Sequence, residues 1–141
     1  MFAELGLDMS VCGSPERAAS WCGLCPGNRT SAGKRGHGRT RKGNRWIRRG
    51  RTQSALAASN AKDTYRPSFY WRISSKRGPN KARIATAHKQ LKIAFLILRD
   101  GVRYKDLGPD HFDRRNLDRT HKYLVGRLES LGLKATLAPA A

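Results

Sequence analysis

The chain has 141 residues, enough for one domain with its own core, and carries 29 Lys and Arg against 10 Asp and Glu, a formal net charge of +19. This charge makes a polyanion the expected partner, nucleic acid first and an anionic membrane surface second. No apolar run is long enough for a membrane span, the N-terminus has no signal-peptide pattern, and three cysteines favour reduced thiols over a disulfide framework. We therefore expect a cytoplasmic protein.

The N-terminal part predicts one short helix at 15–22. Ser14 can cap it, Pro15 suits its first position and Glu16 complements its dipole. Its inward face is expected to hold Ala18, Ala19, Trp21 and Cys22. Residues 1–13 have no helix cap, and we interpret them as the remnant of a truncated helical element, with an ordinary frayed terminus as the alternative.

The stretch 26–51 is the most basic part of the chain, with ten Lys or Arg and no acid. Glycines predict a loop at 26–42, where backbone amides come close to an anion. Because a solvated face rarely gathers so many charges without a counter-charge, phosphate contact is the better interpretation. The predicted nucleic-acid-binding residues are Arg29, Lys34, Arg35, Arg39, Arg41, Lys42, Arg45, Arg48 and Arg49.

The rest of the chain predicts four more helices at 45–61, 67–77, 80–99 and 117–131, with Asn44 as the cap of the first and an irregular segment at 101–115. The stripe Ile84, His88, Leu91, Phe95 and Leu98 marks 80–99 as the clearest helix, with His88 as a core histidine. The last helix carries its apolar face on Leu117, Leu124, Val125, Leu128 and Leu131. The fold class is mainly α, a compact helical domain of four to five helices with a long basic Gly-rich loop.

Four groups of side chains raise the question of chemistry. Ser31 lies in the basic loop, where a hydroxyl beside Lys34 and Arg35 is placed to attack a phosphate, although no His-Asp partner stands at a triad-like position and an inert loop serine is the alternative. Cys22 and Cys25 form half a zinc site that Cys12 and His37 are available to complete, but the spacing matches no standard finger and a buried Cys22 is the alternative.

The aromatic run Tyr65, Phe69, Tyr70 and Trp71 is expected in the core, with stacking on bases as the alternative. The acids argue against an independent metal-dependent nuclease. Asp110 and Asp113 are followed directly by two arginines, and no second acidic cluster exists. We expect no metal site in the chain.

Several stretches resemble one known family. They are Ala19-Ser20-Trp21-Cys22-Gly23-Leu24-Cys25-Pro26-Gly27-Asn28, Ser31-Ala32-Gly33-Lys34, Gly38-Arg39-Thr40-Arg41-Lys42-Gly43-Asn44, Lys62-Asp63-Thr64-Tyr65, Tyr70-Trp71-Arg72-Ile73, Gly78-Pro79-Asn80-Lys81-Ala82 and Tyr104-Lys105-Asp106-Leu107-Gly108. Together they resemble the C-terminal domain of insertion-sequence-110/116/902-type transposases. The resemblance covers roughly 10–113 and divides the chain into a remnant at 1–13, the transposase C-terminal domain at 14–113, and a C-terminal helix and tail at 114–141.

This resemblance implies a DNA recombinase that moves an insertion sequence in a prokaryotic cell and is associated with the nucleoid. Family members act with a structured guide RNA, and the full-length proteins are expected to form homo-oligomers. Their N-terminal RuvC-like domain carries acids for Mg²⁺, and their C-terminal domain carries a serine that forms a covalent link with a DNA phosphate. The matching serine here is Ser31.

The chain departs from the family pattern in ways that lower the expected activity. No RuvC-like segment is present, so we expect no cofactor in this chain, with Mg²⁺ bound by the missing domain, and no transposition by the chain alone. Arg51 stands at a helix position that is usually apolar in the family. The alternatives are a basic DNA- or RNA-binding module without catalysis and a decayed fragment.

Overall fold

The longest helix of the chain forms the centre of its core. A computed structural model describes residues 4, 6, 8–27, 30–35 and 38–138. In this part the helices are α1 (Pro15–Trp21), α2 (Arg45–Ser59), α3 (Tyr65–Arg77), α4 (Pro79–Asp100), α5 (His111–Arg114) and α6 (Leu117–Ser130), with a 3₁₀ helix at Met9–Cys12. A two-residue strand pair, β1 (Thr30–Ser31) and β2 (Lys34–Arg35), lies between α1 and α2. The mainly helical class is confirmed.

The helix starts follow from local side-chain chemistry, as predicted. The Ser14 hydroxyl accepts a hydrogen bond from the Arg17 amide at 3.2 Å, with Pro15 at the first helical position of α1. The Asn44 side chain accepts hydrogen bonds from the amides of Trp46 and Ile47, both at 3.0 Å, at the start of α2. These caps satisfy amides that have no partner inside the helix.

Helix α4 packs against α1, α2 and α3. One apolar cluster joins α4 to α1, α2 and the turn after α1, and its buried members are Ala19, Cys22, Leu24, Ile47, Ala55, Ala87 and Leu91. A second cluster holds Met9, Ala18 and Phe95. Leu91 and Phe95 confirm the predicted apolar stripe of α4, and His88 beside them is half-buried. Within the described ranges, none of the helices combines the length and hydropathy that crossing a bilayer requires.

Helix α3 begins two residues earlier than its proline predicts. Pro67 lies in its first turn, and the helix starts at Tyr65. The reason is a contact from far along the chain, because the Asp106 carboxylate accepts a hydrogen bond from the Tyr65 amide at 2.9 Å. The Thr64 side chain makes no capping hydrogen bond at the start of α3. The negatively charged Asp106 side chain takes this role, which the helix dipole favours at an N-terminus.

One further prediction, about packing, was wrong. Trp21, the last residue of α1, is 49% exposed although it was expected to face inward. The predicted irregular segment contains the single turn α5. The predicted leucine face of α6 is exposed, with Leu131 at 71%, because α6 contacts α5 and does not pack on the α4 core.

The aromatic run of α3 is partly core, as predicted. Tyr65 and Tyr70 are buried. Tyr65 stacks with Phe69 at 5.9 Å and with Phe112 of α5 at 5.3 Å between ring centroids. Trp71, in contrast, is 59% exposed. The contacts of Tyr65 with Phe69 and Phe112 therefore pack α5 against α3, and Trp71 is the ring of the run that remains at the surface.

Candidate nucleic-acid interface

The described residues of the predicted basic loop form a hairpin. Its two arms run antiparallel, with a bridge between Pro26 and Thr40 and a hydrogen bond of 3.0 Å from the Gly27 amide to the Arg39 carbonyl. Further out, the short strands β1 and β2 pair. We call residues 26–42 the basic hairpin. The prediction of a loop at 26–42 did not anticipate this strand pairing.

The root of the basic hairpin depends on the absence of a side chain at Gly43. A Cβ built there would lie 2.6 Å from the Cys22 carbonyl carbon and 2.6 Å from the Gly23 Cα, closer than real Cβ atoms approach. The Asn44 amide also donates to the Trp21 carbonyl at 3.2 Å. The end of α1 and the segment leading into α2 are thus in direct backbone contact, which fixes the direction of the hairpin.

The tip of the basic hairpin is a two-residue turn. Ala32 has φ of 48° and Gly33 has φ of 74°, the pair of positive values that a type I′ turn requires. Such a turn matches the twist of its two strands and places the flanking residues opposite each other. The register confirms this, because Ser31 pairs with Lys34.

Ser31 is exposed on β1, and its cross-strand neighbour Lys34 is exposed on β2. Directly opposed residues of an antiparallel pair have Cβ atoms about 4.5–5.5 Å apart. Lys34 therefore supplies a positive charge beside the hydroxyl. Among the described residues, no histidine or carboxylate makes a hydrogen bond to Ser31. The structure thus gives the hydroxyl access and a cationic neighbour, and it shows no general base.

The predicted phosphate-binding residues fall on one continuous segment, the hairpin and the start of α2. Arg39, Arg41 and Lys42 are exposed on the returning arm, and Arg45 and Arg49 are exposed on α2. Arg29 and the side chain of Arg35 lie outside the described residues. The ion pairs within the described chain join Glu16 to Lys92, Asp100 to Arg99 and Asp110 to Arg114, all outside this segment. The Glu4 carboxylate lies at the start of α2, where it accepts a hydrogen bond from the Asn44 side-chain amide.

Arg48 has a structural contact that the sequence did not predict. Its guanidinium donates to the Thr40 hydroxyl at 2.7 Å and to the Arg41 carbonyl at 3.3 Å. It therefore fastens the returning arm of the hairpin to α2. Part of its hydrogen-bonding capacity is used inside the protein, which sets it apart from the exposed Arg45 and Arg49.

An open groove lies beside the root of the hairpin. It has a volume of about 640 Å³ and is lined by Arg17, Ser20, Trp21, Arg41, Lys42, Gly43 and Asn44. Arg17 and Trp21 were not predicted as binding residues. Their spacing of four residues, which puts them on the same face of α1, was a signal in the sequence, but the helix was interpreted as burying Trp21.

The cysteines and acids form no metal site in the described part of the chain, where no three side chains of His, Cys, Asp or Glu are grouped to hold an ion. His37, a candidate fourth zinc ligand, lies outside the described residues. Cys22 is fully buried, and burial raises the pKa of its thiol to about 11. Burial also lowers the pKa of His88, with Lys92 adding to the effect. Asp110 is paired with Arg114.

The comparison with known proteins decides the family. Residues 1–71 match the Transposase IS116/IS110/IS902 family. The chain belongs to this family. The match includes α1, the basic hairpin, α2 and the first half of α3, so the interface described above lies within it. No curated protein and no solved structure matches the chain. Membership in a transposase family implies a role in DNA transposition and binding to DNA.

Proposed function

We propose that this chain holds DNA for transposition and presents Ser31 as the nucleophile of strand cleavage and rejoining. The observation that carries the proposal is the position of Ser31 at the tip of a basic hairpin, opposite Lys34 and with no acid in the segment from residue 17 to residue 62. The family accounts for DNA as the partner, and the geometry provides a reason for this particular serine.

The charges of the segment are suited to phosphate contact. Arg39, Arg41 and Lys42 follow one another closely on the returning arm, and Arg45 and Arg49 continue the series on the first turns of α2. Each basic side chain that neutralises a phosphate releases condensed counterions, so affinity arises in proportion to the number of contacts. An extended row of this kind follows a nucleic-acid backbone better than it surrounds a small anion.

The proposed covalent step exchanges one phosphoester bond for another. The Ser31 oxygen forms a bond to phosphorus, and the bond from phosphorus to one deoxyribose oxygen breaks. The serine proton passes to water, and the departing deoxyribose oxygen takes up a proton. Because the link to Ser31 is itself a phosphodiester, the reverse reaction rejoins a strand without an external energy source. Lys34 stabilises the negative charge that builds up on phosphate oxygens.

The described residues do not suit a Mg²⁺ site, because they contain no group of three acids or other ligands. We propose that the acids for the metal are supplied from outside this part of the protein and that the described chain does not transpose unaided. A structured guide RNA and self-association into an oligomer belong to the same proposal. The basic hairpin would contact RNA phosphates through the same charges.

Covalent capture tests the role of Ser31. The full chain is mixed with end-labelled DNA and with a family transposase whose own serine is replaced but whose acidic domain is intact. The wild-type chain is expected to form a protein–DNA adduct that resists denaturation, and Ser31→Ala is expected to form none. Ser10→Ala is the matched control, since Ser10 lies on the 3₁₀ helix far along the chain from the hairpin. An adduct that persists in Ser31→Ala would exclude this serine.

A binding module without catalysis is the second candidate. It is favoured by the lack of a histidine or carboxylate bonded to Ser31 among the described residues. In that case Ser31→Ala binds DNA as the wild type does, and neither protein forms an adduct in the presence of the acidic domain. Equal binding together with an adduct in the wild type alone supports the nucleophile.

A further inference from the structure

The groove beside the hairpin root combines an aromatic ring with several positive charges. We propose that it binds one unpaired nucleotide, with the base stacked on Trp21 and the phosphate held by Arg17, Arg41 and Lys42. This proposal rests on the proposed nucleic-acid function of the basic hairpin. It adds a single-strand site that shares Arg41 and Lys42 with the proposed phosphate contacts, adds Arg17 and Trp21 to them, and does not include Ser31.

Trp21 is the residue that points to a base. It is 49% exposed at the end of α1, and Trp46 and Trp71 are exposed as well, at 58% and 59%. The other two tryptophans have partners for their rings. The Arg45 guanidinium lies 4.6 Å from the centre of the Trp46 ring, and Trp71 packs edge-on against Tyr70 at 5.2 Å. Among the described residues, no ring or guanidinium stacks on Trp21.

The backbone at Trp21 is fixed from two sides. Its carbonyl accepts the Asn44 amide at 3.2 Å, and Gly43 lies directly against Cys22 and Gly23. Trp21 is therefore attached both to α1 and to the segment that enters α2. Because this part of the backbone is already ordered, stacking on a ligand does not cost the ordering of a loop, which favours binding.

The charges that surround the ring identify the ligand class. Arg17 lies one helical turn before Trp21 on α1, and Arg41 and Lys42 of the segment before α2 also line the groove. A base on the ring has its own phosphate within reach of these cations. Base–aromatic stacking together with a basic lining is the usual arrangement for single-stranded nucleic acid. A continuous duplex does not offer the face of a base, because its bases are stacked on one another.

The groove is open at its surface, and this also favours a nucleotide within a strand. A strand has to enter and leave on either side of the bound base, which a closed cavity would prevent. The basic hairpin rises from the same root, so the backbone of a strand that leaves the groove comes near Arg39 and the charges of α2. The unpaired nucleotide belongs either to DNA opened at the cleavage site or to RNA, and both share the chemistry of a base and a phosphate.

The test measures the affinity of the full chain for a labelled oligothymidine, an oligouridine of the same length and a DNA duplex. Trp21→Ala is expected to weaken single-strand binding about tenfold or more, since one stacked base contributes on this scale. Trp21→Phe, which keeps an aromatic face, is expected to retain most of the affinity. Trp71→Ala, which removes an exposed tryptophan away from the groove, should leave it unchanged. Duplex affinity should change less than twofold in all three variants.

The fluorescence of Trp21 gives a second readout. Oligothymidine is expected to quench the emission of the wild-type chain more strongly than that of Trp21→Phe, because stacking quenches indole.

The proposal is overturned if Trp21→Ala binds single strands as well as the wild type, or if Trp71→Ala loses as much affinity as Trp21→Ala. If the wild-type chain binds neither duplex nor single strand, the proposed function itself fails. If it binds duplex alone, only the single-strand site fails. If the chain binds oligouridine more tightly than oligothymidine, the site is assigned to RNA. If it binds oligothymidine more tightly, the site is assigned to DNA.

Discussion

Ser31 lies directly opposite Lys34 across the two-residue turn at the tip of the basic hairpin. The turn enforces this pairing through the positive φ values of Ala32 and Gly33. A serine at a hairpin tip is accessible from several directions, and a lysine beside it attracts the anion that the hydroxyl would attack. The spacing Ser-x-x-Lys in the sequence thus becomes a spatial pair because the intervening residues form a tight turn.

The close contact at the hairpin root predicts a large effect of a single methyl group. Gly43→Ala brings a Cβ into the backbone of Cys22 and Gly23 and should lower the free energy of unfolding by about 1–3 kcal/mol. Gly50→Ala is the matched control, since a Cβ there meets nothing within 4 Å and the helix interior gains roughly 1 kcal/mol. Urea denaturation of both variants checks this. Equal stabilities would contradict the close packing.

The second prediction concerns the contact between Arg48 and the returning arm. Arg48→Ala removes the hydrogen bonds to the Thr40 hydroxyl and the Arg41 carbonyl and should cost about 1–2 kcal/mol of stability. The bond from the Gly27 amide to the Arg39 carbonyl should then open more often, so hydrogen exchange at Gly27 should be faster. Arg49→Ala, an exposed neighbour, should leave this exchange rate unchanged. Similar exchange in the two variants would remove Arg48 from its anchoring role.

A third prediction follows from the carboxylate that caps α3. Asp106 accepts hydrogen bonds from the amides of Tyr65 and Gly108, both at 2.9 Å, and from the Tyr104 hydroxyl at 2.8 Å. Desolvation alone would raise the pKa of Asp106, but these hydrogen bonds outweigh it and lower the pKa. Asp106→Ala should cost about 1–2 kcal/mol, whereas Asp113→Ala should have little effect.

The pH dependence of this effect has a definite sign. Because the folded-state pKa of Asp106 lies below its unfolded value, the stabilisation is complete above the unfolded value and is lost as pH falls through the folded value. The stability difference between the wild type and Asp106→Asn should therefore shrink as the solution is made acidic below the ordinary aspartate range. Thermal unfolding across this range measures it. A difference that grows towards low pH would contradict the capping contact.

The extent to which the sequence predicted the structure depends on how local each cause is. Ser14 and Asn44 cap the helices that follow them, so α1 and α2 were predicted within two residues. The start of α3 depends on Asp106, some forty residues away, and no local pattern reveals it. The exposure of Trp21, the last residue of α1, is a property of the packing.

In the candidate site, too, the features with a local cause were predicted and those that depend on packing were not. The charges of the basic segment and the candidate Ser31 were evident from the sequence, because both depend on residue type and spacing. The groove that includes Arg17 was not evident from the sequence, because it forms where α1 meets the segment before α2. The leucine face of α6 was correctly predicted as a face, but periodicity does not determine whether another element covers it.

The fourth prediction concerns the reactivity of the cysteine thiols in the folded chain. Cys22 is fully buried and burial raises the pKa of its thiol to about 11, so near pH 8 it is both inaccessible and protonated in the folded chain. A thiol reagent should label Cys22 only after unfolding, whereas the partly exposed Cys12 should react in the native protein. Mass spectrometry of the labelled peptides distinguishes the sites. Rapid native labelling of Cys22 would show that the core around Leu24 opens.

The central claim is that the basic hairpin and the start of α2 bind DNA phosphates. Its most direct test is the dependence of duplex affinity on salt for three proteins of the full chain. One is the wild type. The second carries Lys34→Gln, Arg39→Gln and Arg49→Gln in the proposed interface. The third carries Lys76→Gln, Arg77→Gln and Lys81→Gln, which remove the same charge from the junction of α3 and α4.

Each lost phosphate contact lowers the slope of log affinity against log salt by about 0.9. We predict a steep slope for the wild type, a slope reduced by about two to three in the hairpin variant, and a nearly unchanged slope in the junction variant. Equal slopes for the two variants would show that only net charge matters and would contradict the account.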